Sequence, residues 1–347
     1  MLRNAYLTGK KLIRKHPLNS STEIRLTHLC TQRCRQCQVY KRNVDPAVMP
    51  LEDFKTIAYR LRQYGSNIGF ISGGESLLVP HLIPILEEAK KTFPVALTLV
   101  TGLYAKTDLV QKVAKYCLEN NINIQTSLDG LGSLGDDLRG AKNFSETVLH
   151  HMNLINDLKG QSKSLLYTNI VINNLNMDQV PELIAKARTR GWKCTVGLYH
   201  HLTETTTKDR ELIIQDGPRL EKLITFLDKN PDILNLNSFI RGIRPYVQGK
   251  TTLPCPFVAS PVLMTRSTIM ENGDLTLCWG GPIGNLLKED LYSIFTGKRY
   301  TQRLNEYSSC NGCWTTCYTQ RYLLIKPSSA AEAWDNTRKL WKLKRKS

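Results

Sequence analysis

Ten cysteines lie among the 347 residues, and eight of them fall into two groups whose spacing suits metal chemistry. Cys30, Cys34 and Cys37 follow a C-x3-C-x2-C spacing directly after the segment 24–29. That spacing brings three thiolates onto one side of a short loop. Thiolates select soft metals and iron–sulfur clusters, and a four-iron cluster normally takes four of them. Three close thiols without a nearby fourth leave one iron open to a ligand from outside the protein. A zinc knuckle with a distant fourth ligand, or reduced thiols in a loop, are the competing readings.

The second group is C-terminal. Cys255-Pro256 precedes Asn272-Gly273, a strong two-residue hairpin signal that delivers Cys278 as G-x4-C, and Cys310, Cys313 and Cys317 follow within eight residues. Packing alone does not require five thiols here, and the C-x2-C element would also suit a zinc ribbon. Cys117, on an apolar helix face, and Cys194, in an apolar strand, read instead as small hydrophobes.

The elements that must position these groups alternate with regularity. Strand patterns fall at 23–28, 68–72, 95–101, 122–127, 165–172 and 192–199, with helical periods near 51–64, 80–91, 106–119, 143–158, 177–190 and 211–229. Six successive βα units predict an α/β fold with a parallel sheet, doubly wound or curled toward a barrel but short of the eight units that close one. In either arrangement the site lies beyond the carboxyl ends of the strands.

Strand by strand, those ends carry the cysteine loop, then Ser72-Gly73-Gly74-Glu75, where two glycines admit close backbone approach and Glu75 can accept from a cationic amine. The fourth strand ends in Ser127-Leu128-Asp129-Gly130 with Arg139 soon after, although Ser127 and Asp129 also suit a cap or turn. The fifth ends near Asn173. The sixth ends at Tyr199-His200-His201, weak candidates for substrate contact or proton transfer.

Composition narrows the setting. With 41% hydrophobic residues the chain can build a core, and its length predicts one large domain with a smaller one. Cysteines without a secretory signal point to a reducing, cytoplasmic compartment, and no apolar run reaches the roughly 18 residues of a membrane span. The net charge of +17 is concentrated at both ends, where basic residues interleave with Leu2, Tyr6, Leu12, Trp334 and Trp341. Such ends suit either peripheral contact with an anionic inner membrane surface or solvated helices. No base-reading module is evident, so no nucleic-acid partner is expected.

Taken jointly, the cysteine loop after the first strand, Gly-Gly-Glu after the second and Ser-x-Asp-Gly after the fourth resemble the radical S-adenosylmethionine superfamily over roughly residues 20–230. That resemblance implies a partial (βα)6 barrel in which Cys30, Cys34 and Cys37 hold a [4Fe–4S] cluster whose open iron chelates S-adenosylmethionine. Gly73, Gly74 and Glu75 would hold the methionine amine, and Ser127 with Arg139 the carboxylate or ribose. The family places an aromatic residue before the third cysteine, where this chain has Gln36, so Tyr40 or another side chain would cover the adenine. The C-terminal cysteines resemble the twitch and SPASM extensions. They imply one auxiliary [4Fe–4S] cluster on four of Cys255, Cys278, Cys310, Cys313 and Cys317, with Cys255 the least secure by spacing and Cys317 a substitute. An external donor of flavodoxin or ferredoxin type would supply electrons.

The expected organisation is a basic N-terminal helix over 1–19, the barrel over 20–230, a linker over 231–254, the auxiliary-cluster extension over 255–325 and a basic amphipathic tail over 326–347. The expected reaction is a net oxidation of a hydrophobic or amphiphilic metabolite such as an isoprenoid lipid or tetrapyrrole. Maturation of a ribosomally made peptide is the second enzymatic reading; about 20 residues before the first strand leave little room for a leader-binding domain. A metal-binding scaffold or electron carrier is the non-enzymatic reading, which gives Gly73, Gly74 and Glu75 no task.

Overall fold

The computed structural model describes residues 2–200, 206–250, 253–310 and 312–346. Among these, strands β1 (Thr22–Arg25), β2 (Ile68–Ser72), β3 (Ala96–Val100), β4 (Asn123–Ser127), β5 (Leu166–Ile172) and β6 (Lys193–Leu198) run parallel, each next to its successor. Helices Leu51–Tyr64, Leu82–Thr92, Thr107–Glu119, Phe144–Leu158 and Val180–Arg188 make the crossovers, and Pro218–Lys229 follows β6. The six expected βα units are therefore present. An extra helix, Gly132–Arg139, lies between β4 and its crossover.

The packing follows the side-chain periods. Phe54, Ile57, Ala58 and Leu61 form one buried face of the first crossover, which ends where Gly65 turns left-handed at φ +79° and its N–H bonds back to Leu61 and Arg62. In β1, Thr22 and Ile24 are buried against the helices while Glu23 and Arg25 point to the other face. Polar residues thus line the inside of the curve of strands.

Three further strands, β7 (Ser267–Ile269), β8 (Asp274–Thr276) and β9 (Gly284–Asn285), extend the same sheet to the order β6-β5-β4-β3-β2-β1-β7-β8-β9. β7 pairs in parallel with β1, Ile24 opposite Ile269, so the cysteine-rich part continues the main sheet. The β7–β8 turn differs from the two-residue expectation: Glu271 and Asn272 occupy its centre, Gly273 N–H returns to Met270 O at 2.9 Å, and only Gly273 of the Asn-Gly pair has positive φ. Turning Glu271 inward toward His28 and Arg42 accounts for the shift.

The described part of the stretch expected as a linker over 231–254, residues 231–250, packs closely. Helices Asn237–Arg241 and Ile243–Val247 bury Phe239, Ile240 and Ile243, and Trp314 donates its indole N–H to Phe239 O at 2.9 Å. Just before them, Asn235 exchanges two hydrogen bonds with the Val196 backbone and covers the outer edge of β6. No described helix is long and apolar enough to cross a membrane.

The N-terminal helix Leu2–Ile13 docks through Lys11, whose ammonium donates to Tyr64 O at 2.7 Å and lies 4.2 Å from the Tyr64 ring centre. Burial lowers its pKa from 10.5 to about 8. Between those values the unfolded chain holds the extra proton, so this lysine makes stability rise with pH across the window. Lys11→Met is expected to flatten that rise in urea unfolding between pH 8 and 10.5. An equally steep slope in the variant would assign it to other groups.

Candidate active site

The carboxyl ends of β1 to β5 surround a cavity of about 210 Å³ lined by Cys30, Cys34, Cys37, Gly73, Gly74, Ser127 and Arg139, with Gln36 and Tyr40. All three N-terminal cysteines thus meet where parallel strands end. Their loop is fixed on two sides. Arg33 and Arg35 N–H groups bond to Arg139 O and Leu138 O, while Gly74 and Glu75 N–H groups bond to Thr27 O and Leu29 O at 2.7 and 2.8 Å.

Glu75, expected to touch a methionine amine, is only 1% exposed, and its carboxylate is taken up by groups of the protein, of which Thr101 and Gly102 themselves line the cavity. It accepts from Leu77 N, Thr101 Oγ1 and Gly102 N at 3.0, 2.6 and 2.8 Å. Burial raises its pKa, and these three donors oppose the rise. Glu75 therefore shapes the wall by holding the turn after β3. Gly73 and Gly74 are the members of that motif that reach the cavity.

Asp129 has the same office after β4. Fully buried, it accepts from Val171 N at 2.7 Å and Gln36 Nε2 at 2.8 Å, and pairs with Arg139 at 2.5 Å. Arg139 in turn lies 3.8 Å from Cys34 Sγ, and its Nε has no partner among the described residues. The sequence marks Asp129 by its place in Ser-x-Asp-Gly, but nothing in it shows that the carboxylate orients both Arg139 and Gln36.

A second cavity, of about 320 Å³, lies under the C-terminal hairpin and is lined by all five of Cys255, Cys278, Cys310, Cys313 and Cys317. It adjoins the first: Thr206, which lines it, forms a β-bridge with Cys37. Glu23, Asp274, Arg25, Arg42 and Arg266 supply its charged wall. Burial raises Glu23, but Arg25 and Arg266 outweigh it and hold the carboxyl down to about 2.

The remaining candidates divide. His200 lines the larger cavity, whereas His201 lies outside the described residues. Tyr199 is corrected as a proton-transfer candidate: its hydroxyl donates to Thr207 O at 2.6 Å and accepts from Asp209 N at 2.8 Å, a structural tie beside Leu138 and Leu212. Cys117 and Cys194 are buried with thiols pushed up to about 12 by burial, as inert residues should be. Among the described residues no three or more His, Cys, Asp or Glu side chains group as a single ion requires. Thiols spread around a cavity suit a group that offers each its own metal atom.

Residues 24–212 match the model of the radical SAM superfamily, and the chain belongs to that superfamily, whose cofactors are a [4Fe–4S] cluster and S-adenosylmethionine. Over 172 residues it is 24% identical to the sporulation killing factor maturation protein SkfB of Bacillus subtilis (strain 168), covering 49% of this chain and 40% of the relative. The chain thus spans less than half of that relative's length. The Streptococcus suis protein SuiB bound to its precursor peptide SuiA aligns at TM-score 0.59 and 18% identity over 87% of this chain and 71% of that one. The protein anSMEcpe with bound AdoMet and the Cp18Cys peptide aligns at TM-score 0.62 and 16% identity over 92% and 96%. These likenesses show the fold, and their extent takes in the cysteine-rich extension as well as the matched domain.

A side chain at Gly74 tests the geometry. Its Cβ would run into the carbonyl oxygens of Leu29 and His28, the second at 2.7 Å, which start the cysteine loop. Gly74→Ala is expected to lower the iron held after anaerobic reconstitution toward that of Cys30→Ser, with helix content by circular dichroism unchanged. Iron equal to the parent's would mean that the loop yields without cost.

Proposed function

We propose that this radical SAM enzyme matures a ribosomally made peptide by removing hydrogen from it, with the β1 side of the cavity beneath the hairpin, away from the cysteines, as the substrate chamber. The carrying observation is the charge of that chamber. Arg25, Arg42, Arg266 and Glu23 line its wall. Hydrocarbon buried against such groups would strip them of water without returning a hydrogen bond, which disfavours an isoprenoid lipid. A peptide brings its own donors and acceptors. The name of SkfB as a maturation protein and the peptide bound to SuiB support the same reading.

Cys30, Cys34 and Cys37 are the proposed ligands of the cluster that binds S-adenosylmethionine. Bound there, the pair supplies a 5′-deoxyadenosyl radical able to take hydrogen from a substrate carbon. The protein's task is to hold, orient and exclude water. Gly73 and Gly74 offer bare backbone to the methionine amine. Arg139, oriented by Asp129, and Ser127 suit the carboxylate or ribose. Glu75 keeps the wall of the site in shape.

For the second cluster the proposed ligands are Cys255, Cys278, Cys310 and Cys313. Cys255 and Cys313 each lie close enough to Cys310 for their thiolates to disfavour one another, and Cys278 is near all three, with Cys317 the last of its thiol neighbours. Cys317 touches this group electrostatically only through Cys278 and otherwise has Arg266, Tyr318 and Tyr167 as neighbours, which fits the thiol left over. This reverses the order of preference that spacing alone suggests for Cys255 and Cys317.

Anaerobic reconstitution should yield about eight irons per chain, and about four when Cys30, Cys34 and Cys37 are replaced together by Ala. Reduction with S-adenosylmethionine should yield 5′-deoxyadenosine from the parent and none from the triple variant. Short peptides encoded beside the gene, co-expressed with it, should lose hydrogen by mass spectrometry. Nucleoside without any peptide change, together with conversion of a metabolite from cell extract, would return the reaction to the small-molecule reading.

A further inference from the structure

The inward face of β1 carries two residues that neither cluster needs. Arg25 Nε donates to Glu23 Oε1 at 3.1 Å, yet its Nη1 is shielded from solvent and has no hydrogen-bond partner among the described residues. A buried guanidinium N–H without an acceptor is costly, and a site that keeps one is prepared for an acceptor that arrives later. Arg25 lines the substrate chamber and has Cys37 and Glu271 among its electrostatic neighbours, which puts it at the junction of the two cavities.

The carboxylates nearby are already committed. Glu23 is shared: Oε1 takes Arg25 and the Ser72 hydroxyl, and Oε2 takes Arg266 Nη2 at 3.2 Å. Glu271 Oε1 is held by His28 and Arg42 at 3.0 and 3.2 Å. Asp274 accepts from Asn272 and Asn285, each at 2.9 Å. Arg266 lies over the Phe70 ring at 5.2 Å, and Arg321 is near enough for the two to repel. Two guanidiniums facing the chamber therefore share one carboxylate, which leaves an open donor on its floor.

We infer that Arg25 and Arg266 form a carboxylate-reading subsite, so that the peptide segment entering the chamber presents an Asp or Glu side chain, or a C-terminal carboxylate, beside the carbon that loses hydrogen. This rests on the peptide-maturase reading. Guanidinium is the side chain matched to carboxylate, because its planar fork offers parallel N–H groups to both oxygens. Glu23 holds the two forks at fixed separation, so the subsite is ordered before substrate arrives.

The test uses the anaerobically reconstituted full chain with S-adenosylmethionine and two random, C-terminally amidated peptide libraries. They are identical except that one carries Asp and Glu where the other carries Asn and Gln; a free-acid copy of the neutral library separates a C-terminal carboxylate from an acidic side chain. Retention on the immobilised enzyme and loss of hydrogen after reduction are both read by mass spectrometry. The parent should enrich carboxylate-bearing peptides roughly tenfold, the scale of a hydrogen bond to a charged group. Arg25→Gln and Arg266→Gln should bring the ratio near parity, and Arg25→Lys, which keeps the charge without the fork, should fall between. If Arg25→Gln loses iron or helix content, the Arg25→Lys ratio decides.

Equal retention of charged and neutral libraries by the parent overturns the subsite, whether or not peptides are modified. A preference that survives in Arg25→Gln and Arg266→Gln removes it from these residues and leaves them as counter-charges to the clusters. Acid-selective retention with no hydrogen loss in any library would instead sink the maturase reading and leave the carboxylate subsite standing.

Discussion

The rest of the molecule depends on the pairing of one four-residue strand along both its edges. β1 bonds to β2 on one side and to β7 on the other, both in parallel, and so joins the βα array to the cysteine-rich extension. Side chains on a strand alternate between faces, so this register sets which residues meet solvent-filled space. Ile24 goes to the core, Glu23 and Arg25 go to the chamber, and the chain leaves β1 directly into the loop of Cys30, Cys34 and Cys37. A slip by one residue would bury both charges among helices and put Ile24 in the chamber. Pairing on both edges is what makes such a slip expensive.

Around that strand, the cavity walls are set by buried carboxylates that face the protein. Glu75 holds the backbone after β3, and Asp129 holds Arg139, Gln36 and the Val171 N–H. A carboxylate with three or four donors tolerates burial that would otherwise neutralise it. It fixes loops that have no secondary structure of their own. These carboxylates give the thiol loop a rigid surround, which matters because binding geometry lost by an ångström costs much of the benefit of orientation.

How much of this was legible in the sequence follows from the range of each interaction. The six βα units are local patterns, and β2 is found at 68–72 as its alternation indicates, with helix 51–64 equally close. Motif residues gather as expected because strand ends are gathered by topology. The partner of β7 is another matter. The Asn-Gly signal announces a hairpin, but pairing with a strand some 240 residues earlier leaves no trace in a local window. Glu75 was legible as important and illegible in its direction, since composition cannot tell a carboxylate that meets a ligand from one that bonds to backbone behind it. The packed stretch 231–250 looked loose because its two short helices rest on Trp314, far along the chain.

Burial also bears on the proposal that these thiols hold metal clusters. Without one, desolvation pushes Cys30 and Cys255 up to about 11 and raises Cys34, Cys278 and Cys313 as well. Burial of this kind disfavours the free thiolate and so favours a partner that meets its charge. A metal reverses the balance, because a coordinating thiol is deprotonated outright and its charge is met by the ion. The same burial that penalises the free thiolate then protects the thiolate–metal bond from water and oxidant. In this chain Arg25 lines the cavity of the C-terminal thiols and has Cys37 among its electrostatic neighbours, so its guanidinium lies between the two thiol groups. A fixed cation there lowers the cost of placing two groups of thiolates close together, and Glu23 fixes it by accepting from Arg25 and Arg266 at once.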